Sequence, residues 1–211
     1  NDTRVVTIPA ESSFTWRSFK IDQRPVTIRA YQRCVDSGVC FPPHYRGHFL
    51  KYIENPLYRE FPVTYVSVEE AQLYCEWLGG TLPSEQQWKD AAGAMNANIY
   101  PWGDREPSLS TANYDGLYQG LIPSGWLPIG ASPFGVLDLA GNVREWVSDT
   151  LPNPNPEWGD ENILKGGGAS DFPNQLELAE RQTHAGSSAG FNRGFRCVYP
   201  AESSGSGSHK R

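Results

Sequence analysis

The four cysteines of this 211-residue chain restrict its fold more than any other sequence feature. Cys34 and Cys40 are close enough to close a small loop, whereas Cys75 and Cys197 lie far apart. Four cysteines permit three pairings. If the first two are bridged, the other two are left to join across most of the chain. Such a bridge would stabilise the fold by about 4–5 kcal/mol on the loop-entropy model. The alternative is four buried thiols.

Two helix starts are clear from local sequence signals. Both have the spacing of a capping box, in which a side chain and a backbone N–H pair reciprocally: Ser67-x-x-Glu70 and Ser84-x-x-Gln87. The glycines Gly79 and Gly80 end the first of these helices. Thr27 is a further candidate cap, for a helix that runs to about Ser37.

The rest of the chain predicts short strands and many loops. Residues 5–21 have the β-prone pattern of two short strands. Residues 41–62 contain four prolines and several aromatic residues, which predicts an irregular surface loop. From about residue 99 to 200, frequent Pro and Gly predict short strands joined by long loops. The length favours one domain over residues 1–200, and the polar residues 201–211 predict a flexible tail.

Composition disfavours several classes of function. The formal net charge is -6 and no basic run precedes the last two residues, so nucleic-acid binding has little electrostatic support. No apolar run approaches the roughly 20 residues that cross a bilayer. Because Asn1 is not a start methionine, we expect a removed leader segment. Disulfides favour an oxidising, extracytoplasmic compartment: periplasmic, cell-surface or secreted.

Seven sequence blocks follow one another in a fixed order along residues 5–198. They occupy residues 25–31, 62–77, 82–92, 100–103, 134–146, 165–168 and 193–197. In this order and spacing they resemble the formylglycine-generating enzyme (sulfatase-modifying factor) family. The resemblance implies an α+β domain, a variant of the C-type lectin fold, with two main helices, short antiparallel strands and little other regular structure.

The same resemblance implies a disulfide pairing and a calcium site. Cys75 and Cys197 match the family's structural bridge, which leaves Cys34 and Cys40 as a local one. The calcium ligands carried over from the family are two carboxylates and two backbone carbonyls: Asp138, Gly141 (carbonyl), Val143 (carbonyl) and Glu145. A capped turn with Glu145 paired to an arginine is the alternative. A second family site would begin at Asn113, with Asp115 as a substitute for the family's later aspartate.

The family's oxidation chemistry is missing from the sequence. It uses a copper ion held by two thiolates, and soft sulfur ligands are what select copper(I). No cysteine lies between Cys75 and Cys197. Aligned on the glycines that follow Lys165, the first catalytic cysteine falls at Asp171 and the second near Gln175 or Leu176. We therefore expect neither copper nor formylglycine formation.

Other catalytic patterns are weak. His44-x-x-x-His48 has part of the histidine spacing of the ergothioneine-type iron enzymes but lacks their glutamate, so two solvent-facing histidines are the simpler interpretation. His184 has Ser187, Ser188 and Asp171 only as sequence neighbours. An unrecognised chemistry would use Asp171, Glu177 and His184.

Two arginines, Arg181 and Arg196, suggest a structural role, and the last long loop suggests binding rather than catalysis. Arg181 and Arg196 lie at positions that resemble the family's fixed arginines, and the resemblance implies buried bidentate pairs with Glu145 or Asp149. A role in ligand capture is the alternative. Among the relatives without the cysteines are variable ligand-binding proteins, in which the segment between the glycines and the final Gly-Phe-Arg is the binding face; the resemblance implies the same face here. Here that segment offers a mixture of aromatic and polar residues, Asp171, Phe172, Asn174, Gln175, Glu177, Gln182, His184, Ser187, Ser188, Phe191 and Asn192.

Three functions are compatible with these sequence features. The first is a non-catalytic module that binds a protein or a small ligand through residues 169–192. The second is an enzyme of unrecognised chemistry in the same cleft. The third is a structural subunit of a cell-surface or filament assembly, suggested by the aromatic residues of 41–62.

Overall fold

The computed structural model describes residues 4–14, 17–185 and 189–201. In this part of the chain the helices are α1 (Ile28–Asp36), α2 (Lys51–Glu54), α3 (Val68–Trp77) and α4 (Glu85–Ala91). The strands are β1 (Val5–Ile8), β2 (Phe19–Asp22), β3 (Arg144–Leu151), β4 (Glu161–Lys165), β5 (Gln182–Ala185), β6 (Arg193–Gly194) and β7 (Val198–Pro200). The predicted α+β class is confirmed.

The main helices begin where their sequence signals place them. Thr27 caps α1, since its side chain accepts the Ala30 N–H at 3.2 Å. Both capping boxes are formed, ahead of α3 and α4. Just after the cap of α4, the backbone N–H of Glu85 is also bound, at 2.6 Å, by a carboxylate of Asp149 on β3. This contact joins α4 to the larger sheet.

The strands form two small sheets. The first has the order β1-β2-β7 and is antiparallel throughout. The second has the order β5-β4-β3-β6, and its β3–β6 pair is parallel. The expectation of antiparallel strands is therefore wrong for this one pair. Parallel partners need a long connection, and residues 152–192, which include β4 and β5, connect β3 to β6.

Both predicted disulfides are present. Cys34–Cys40 closes the end of α1, and Cys75–Cys197 joins α3 to the residue before β7. The second bridge connects residues that are 122 apart in sequence. It fixes the chain's last strand to the helix on which the Tyr74 ring packs against Phe195.

About half of residues 41–62 are exposed, as predicted for a surface segment, but the segment is less irregular than its prolines predict. It forms short helical segments over residues 47–50, 51–54 and 56–58. Tyr45 and Tyr52 are buried and their rings stack on each other, and the Tyr52 ring also packs with those of Phe49 and Phe191. Aromatic burial therefore overrides the local turn signals, because each ring removes a large apolar area from water.

Two further predictions concern the tail and a membrane-spanning segment. The tail residues 202–211 lie outside the described residues. Among the helices that are described, none combines the length and the apolar composition that a bilayer crossing requires.

Candidate functional site

The segment after β4 passes through a tight space between Leu139 and Gln175. Gly166 and Gly167 have φ values of +89° and +68°. A Cβ on Gly166 would lie 2.8 Å from the Leu139 carbonyl oxygen, and one on Gly167 would lie 2.8 Å from the Gln175 carbonyl oxygen. Only glycine fits both positions. The turn brings residues 168–178 against the beginning of β3, as the 2.9 Å bond from Ala169 N–H to the Asn142 carbonyl shows.

Asp171 occupies the centre of this segment and is not available to a ligand. It is 6% exposed, and one carboxylate oxygen forms an ion pair with the Arg144 guanidinium. The other oxygen accepts the Gly168 N–H at 2.6 Å. Its backbone carbonyl accepts the Asp115 N–H at 2.9 Å. A ligand-binding or catalytic role for Asp171, as predicted from the sequence, would require these contacts to break.

The position of the second catalytic thiol is also occupied by packing groups. Leu176 is fully buried in a small apolar cluster with Tyr100 and Ala140. The Gln175 side chain accepts the Phe172 N–H at 3.1 Å and so fixes the preceding turn. Neither group supplies the thiolate that copper(I) prefers. Among the described residues, no three His, Cys, Asp or Glu side chains are placed to hold a metal ion.

Two departures from the family's sequence pattern are in contact with each other. The family block that residues 134–146 resemble ends in Gly-Asn-Val-Trp-Glu-Trp, and Arg144 stands at its first tryptophan. Asp171 stands where the resemblance places the first catalytic cysteine. Their side chains are only 12% and 8% exposed. A buried charge requires a partner. The arginine and the aspartate therefore depend on one another, and sequence reasoning missed Arg144 although its departure from the pattern was visible.

The other predicted ligand residues differ in accessibility. Phe172 is 60% exposed and Asn174 is exposed. Phe191 packs against the Phe49 ring at a centroid distance of 4.9 Å, within the aromatic cluster. The remainder are half-buried: Gln175, Glu177, Gln182, His184 and Asn192. Ser187 and Ser188 lie outside the described residues. The accessible centre of the predicted binding face is thus Phe172 with Asn174.

In the other histidine pattern, His44-x-x-x-His48, the structure describes only the first side chain. His44 is about half exposed and its Nε2 lies 2.8 Å from Glu70, the capping-box glutamate of α3. The side chain of His48 lies outside the described residues.

Glu145, one of the predicted calcium ligands, is fully buried and bound by protein donors. Arg196 binds its two oxygens at 2.7 and 2.6 Å, and Trp88 Nε1 donates to it at 2.9 Å. The predicted Arg196 pairing is therefore present. The Arg181 prediction is wrong, because Arg181 pairs with Glu85 at 2.8 Å. Glu85 lies in the first turn of α4, close to the end of the loop that carries Arg181.

Asp138, at the other end of the same turn, fits a hard cation better. It is buried, and its carboxylate accepts the Gly125 N–H at 2.5 Å. The pKa of Asp138 is raised to about 6, mainly by burial and also by nearby Glu145, against the opposing effects of the Gly125 N–H and Arg196. A cation beside Asp138 would favour its charged form. The carbonyls of Gly141 and Val143 are the further donors that the family resemblance assigns.

Asn113 also has an oxygen that suits a cation. The residue is 1% exposed, and its amide nitrogen donates to the Gly120 carbonyl at 2.8 Å and to Asn142 at 3.1 Å. Its side-chain oxygen has no hydrogen-bond partner in the described part of the chain. An unpaired buried oxygen is costly unless something binds it. The second calcium site predicted from Asn113, with exposed Asp115, is compatible with this arrangement.

A buried lysine lies at the start of the glycine turn and was not singled out from the sequence. Lys165 donates to the Leu178 carbonyl at 3.0 Å, lies 3.5 Å from Glu85, and is 5.6 Å from the centre of the Trp88 ring. Burial lowers the pKa of Lys165 to about 8. Its contacts hold residues 178–180 against α4, so its role is structural.

The fold and the site together define a protein family. Residues 2–201 match the family of sulfatase-modifying factor enzyme 1-like domains, and the chain belongs to that family. This confirms the resemblance carried by the seven sequence blocks.

The similar proteins include one that is named as inactive and one that is named as an enzyme. The "Inactive C-alpha-formylglycine-generating enzyme 2" of Mus musculus is 34% identical over 162 residues, which cover 67% of this chain and 50% of that protein. The "Formylglycine-generating enzyme" of Mus musculus is 29% identical over 163 residues, covering 65% of this chain and 44% of that protein. The chain therefore spans about half the length of these relatives.

Two solved structures have the same fold. CarF superposes with a TM-score of 0.74 at 17% identity, covering 95% of this chain and 99% of CarF. PvdO from Pseudomonas aeruginosa superposes with a TM-score of 0.68 at 21% identity, covering 87% of this chain and 81% of PvdO. At these identities the likeness establishes the fold alone.

The Arg144–Asp171 pair can be tested by a double-mutant cycle. Arg144→Ala or Asp171→Ala alone should lower the free energy of unfolding by about 3–5 kcal/mol, because each leaves a buried charge without its partner. The double variant should lose much less than the sum of the two, as measured by urea unfolding.

The exposed pair Arg29–Glu60, with side chains 45% and 38% exposed, is the matched control. Its coupling energy should stay below about 1 kcal/mol. A coupling energy for Arg144 and Asp171 no larger than that of the control would contradict the structural role of the pair.

Proposed function

We propose that this chain is a non-catalytic binding module of the formylglycine-generating enzyme fold, which acts outside the cytoplasm. The observation that carries the proposal is the Arg144–Asp171 ion pair at the position of the family's first catalytic thiol. Leu176 and Gln175 at the second position offer no thiolate either. The mouse relative at 34% identity is itself named inactive, which agrees with the proposal. The two disulfides support an oxidising compartment.

The proposed binding surface centres on Phe172 and Asn174. A large aromatic side chain that is 60% exposed on a fixed turn is suited to anchor a protein partner. The turn is fixed from below, because Gln175 binds the Phe172 N–H and Leu176 is buried. Little conformational freedom would therefore be lost on binding.

The alternatives have less support. An enzyme that uses Asp171 would first have to break its ion pair with Arg144. An assembly subunit that uses the aromatic residues of 41–62 would have to rely on Phe41, which is 64% exposed, because Tyr45 and Tyr52 are buried and packed together.

Phe172→Glu tests the binding surface. Immobilised wild-type protein should retain a partner from the extracytoplasmic fraction of its source cells, and Phe172→Glu should retain it at least about tenfold less well. Phe41→Glu is the matched control, because Phe41 is 64% exposed and lies elsewhere in the chain. Equal retention of the same partner by both variants would contradict this surface. Thermal melting of each variant checks that the fold is kept.

A calcium ion at the turn of residues 138–145 is the second part of the proposal. Asp138 would supply the charged ligand and the Gly141 and Val143 carbonyls neutral ones, while Glu145 stays bound to Arg196 and Trp88. A hard cation prefers such oxygen donors. Bound there, calcium would compensate the buried charge of Asp138 and stabilise the start of β3.

Calcium removal should therefore destabilise the wild-type protein. With calcium at 100 times its Kd, the free energy of unfolding should exceed the value in chelator by about 2.7 kcal/mol. Asp138→Asn should lose most of this difference, whereas exposed Asp160→Asn should keep it. Equal melting temperatures of the wild type with calcium and with chelator would contradict a calcium site here.

A further inference from the structure

An apolar groove runs along the outer side of α3, away from residues 169–192. It has a volume of about 750 Å³ and is bounded by α3, the segment between α3 and α4, and Ser148 of β3. All of its lining residues lie within the continuous described range 17–185. It shares no residue with the surface of Phe172 and Asn174.

The floor of the groove is apolar and its walls are fixed. Val68 and Leu73 are half-buried and Leu82 is 2% exposed. Gln72 connects the two walls, because its side-chain oxygen accepts the Leu82 N–H at 3.0 Å and its nitrogen donates to Glu76 at 2.7 Å. The groove is therefore formed without a ligand, and its volume is in the range of ligand sites.

The charge of the groove has one sign. Glu69 and Glu76 are both exposed on α3, and the groove's described lining contains no Lys, Arg or His. The sequence of α3 itself, Val68–Trp77, holds three glutamates and no basic residue. A partner whose basic groups meet these carboxylates would be attracted and correctly oriented, and an acidic one would be repelled.

We propose that this groove binds a segment of another protein in which apolar side chains are flanked by arginine or lysine. The apolar side chains would lie on Leu73 and Leu82, and the basic ones would meet Glu69 and Glu76. The chain's own residues 202–211 end in His-Lys-Arg but contain no large apolar side chain, so they cannot fill the floor. This inference does not depend on the proposed function of residues 169–192.

Three fluorescein-labelled peptides of about 12 residues test the proposal, since a segment of that length can span the groove. One combines Leu with Arg, one combines Leu with Glu, and one combines Ser with Arg. Fluorescence anisotropy at physiological salt should show binding of the Leu–Arg peptide, and binding at least about tenfold weaker for the other two. Methyl resonances of Val68, Leu73 and Leu82 should shift during the titration.

Charge-reversed variants locate the binding. Glu69→Lys combined with Glu76→Lys should weaken the Leu–Arg peptide at least about tenfold. Glu106→Lys combined with Glu157→Lys changes the net charge equally at exposed, unrelated positions and should leave the affinity unchanged. Leu73→Ser should weaken binding of the Leu–Arg peptide. The variant should still bind the Leu–Arg peptide more tightly than the Leu–Glu peptide.

Several results would overturn the proposal. They are equal binding of the Leu–Glu peptide, equal weakening by both charge-reversed pairs, and methyl shifts confined to residues outside the groove. Self-association of the protein that Leu73→Ser abolishes would also overturn it, because a second copy of this chain would then be the occupant.

Discussion

The buried guanidinium of Arg196 is the interaction on which the rest of this structure depends. It is fully buried and donates five hydrogen bonds, to the carbonyls of Asp22, Gln23 and Leu137 and to both oxygens of Glu145. These groups come from the end of β2, from the turn ahead of β3 and from β3 itself. Without the guanidinium, three carbonyls and one buried carboxylate would lose a partner, at a cost of about 1–3 kcal/mol or more each.

The Arg196 contacts also explain how the fold persists without the catalytic thiols. The adjacent Cys197 fixes the same stretch of chain to α3 through its disulfide. Gly166 allows the segment after β4 to pass beside Leu139. A second ion pair, Arg144–Asp171, lies where the family resemblance places the first catalytic thiol. Neither Arg196 nor the disulfide requires copper. The scaffold and the redox centre are therefore physically separable.

Local signals in the sequence predicted α1, α3 and α4 but not α2. The capping boxes that begin at Ser67 and Ser84 act within one helical turn, so no distant contact is needed to read them. The disulfide pairing and the Arg196 partner came from the family resemblance. In contrast, Tyr52 packs against Phe191, which is distant in sequence, and the prolines between 41 and 62 gave no sign of this burial.

The candidate site was less predictable for the same physical reason. Asp171 is polar and lies in a loop, which favoured exposure, and only its contact with Arg144 makes it structural. Arg181 was assigned to the wrong acid because its loop end lies beside α4, where Glu85 is nearest. Phe172 was predicted to be accessible, and its side chain is 60% exposed. The sequence alone does not show which polar residues, far apart in the chain, pair with each other.

We infer that a salt bridge and a leucine replace the thiol-held copper of the family without loss of its architecture. The decisive measurement is copper titration followed by dialysis, with mass spectrometry of a cysteine-containing peptide incubated with the protein under oxygen. We predict no retained copper and no conversion of cysteine to an aldehyde. Stoichiometric copper after dialysis, or aldehyde formation that depends on the protein, would contradict this replacement.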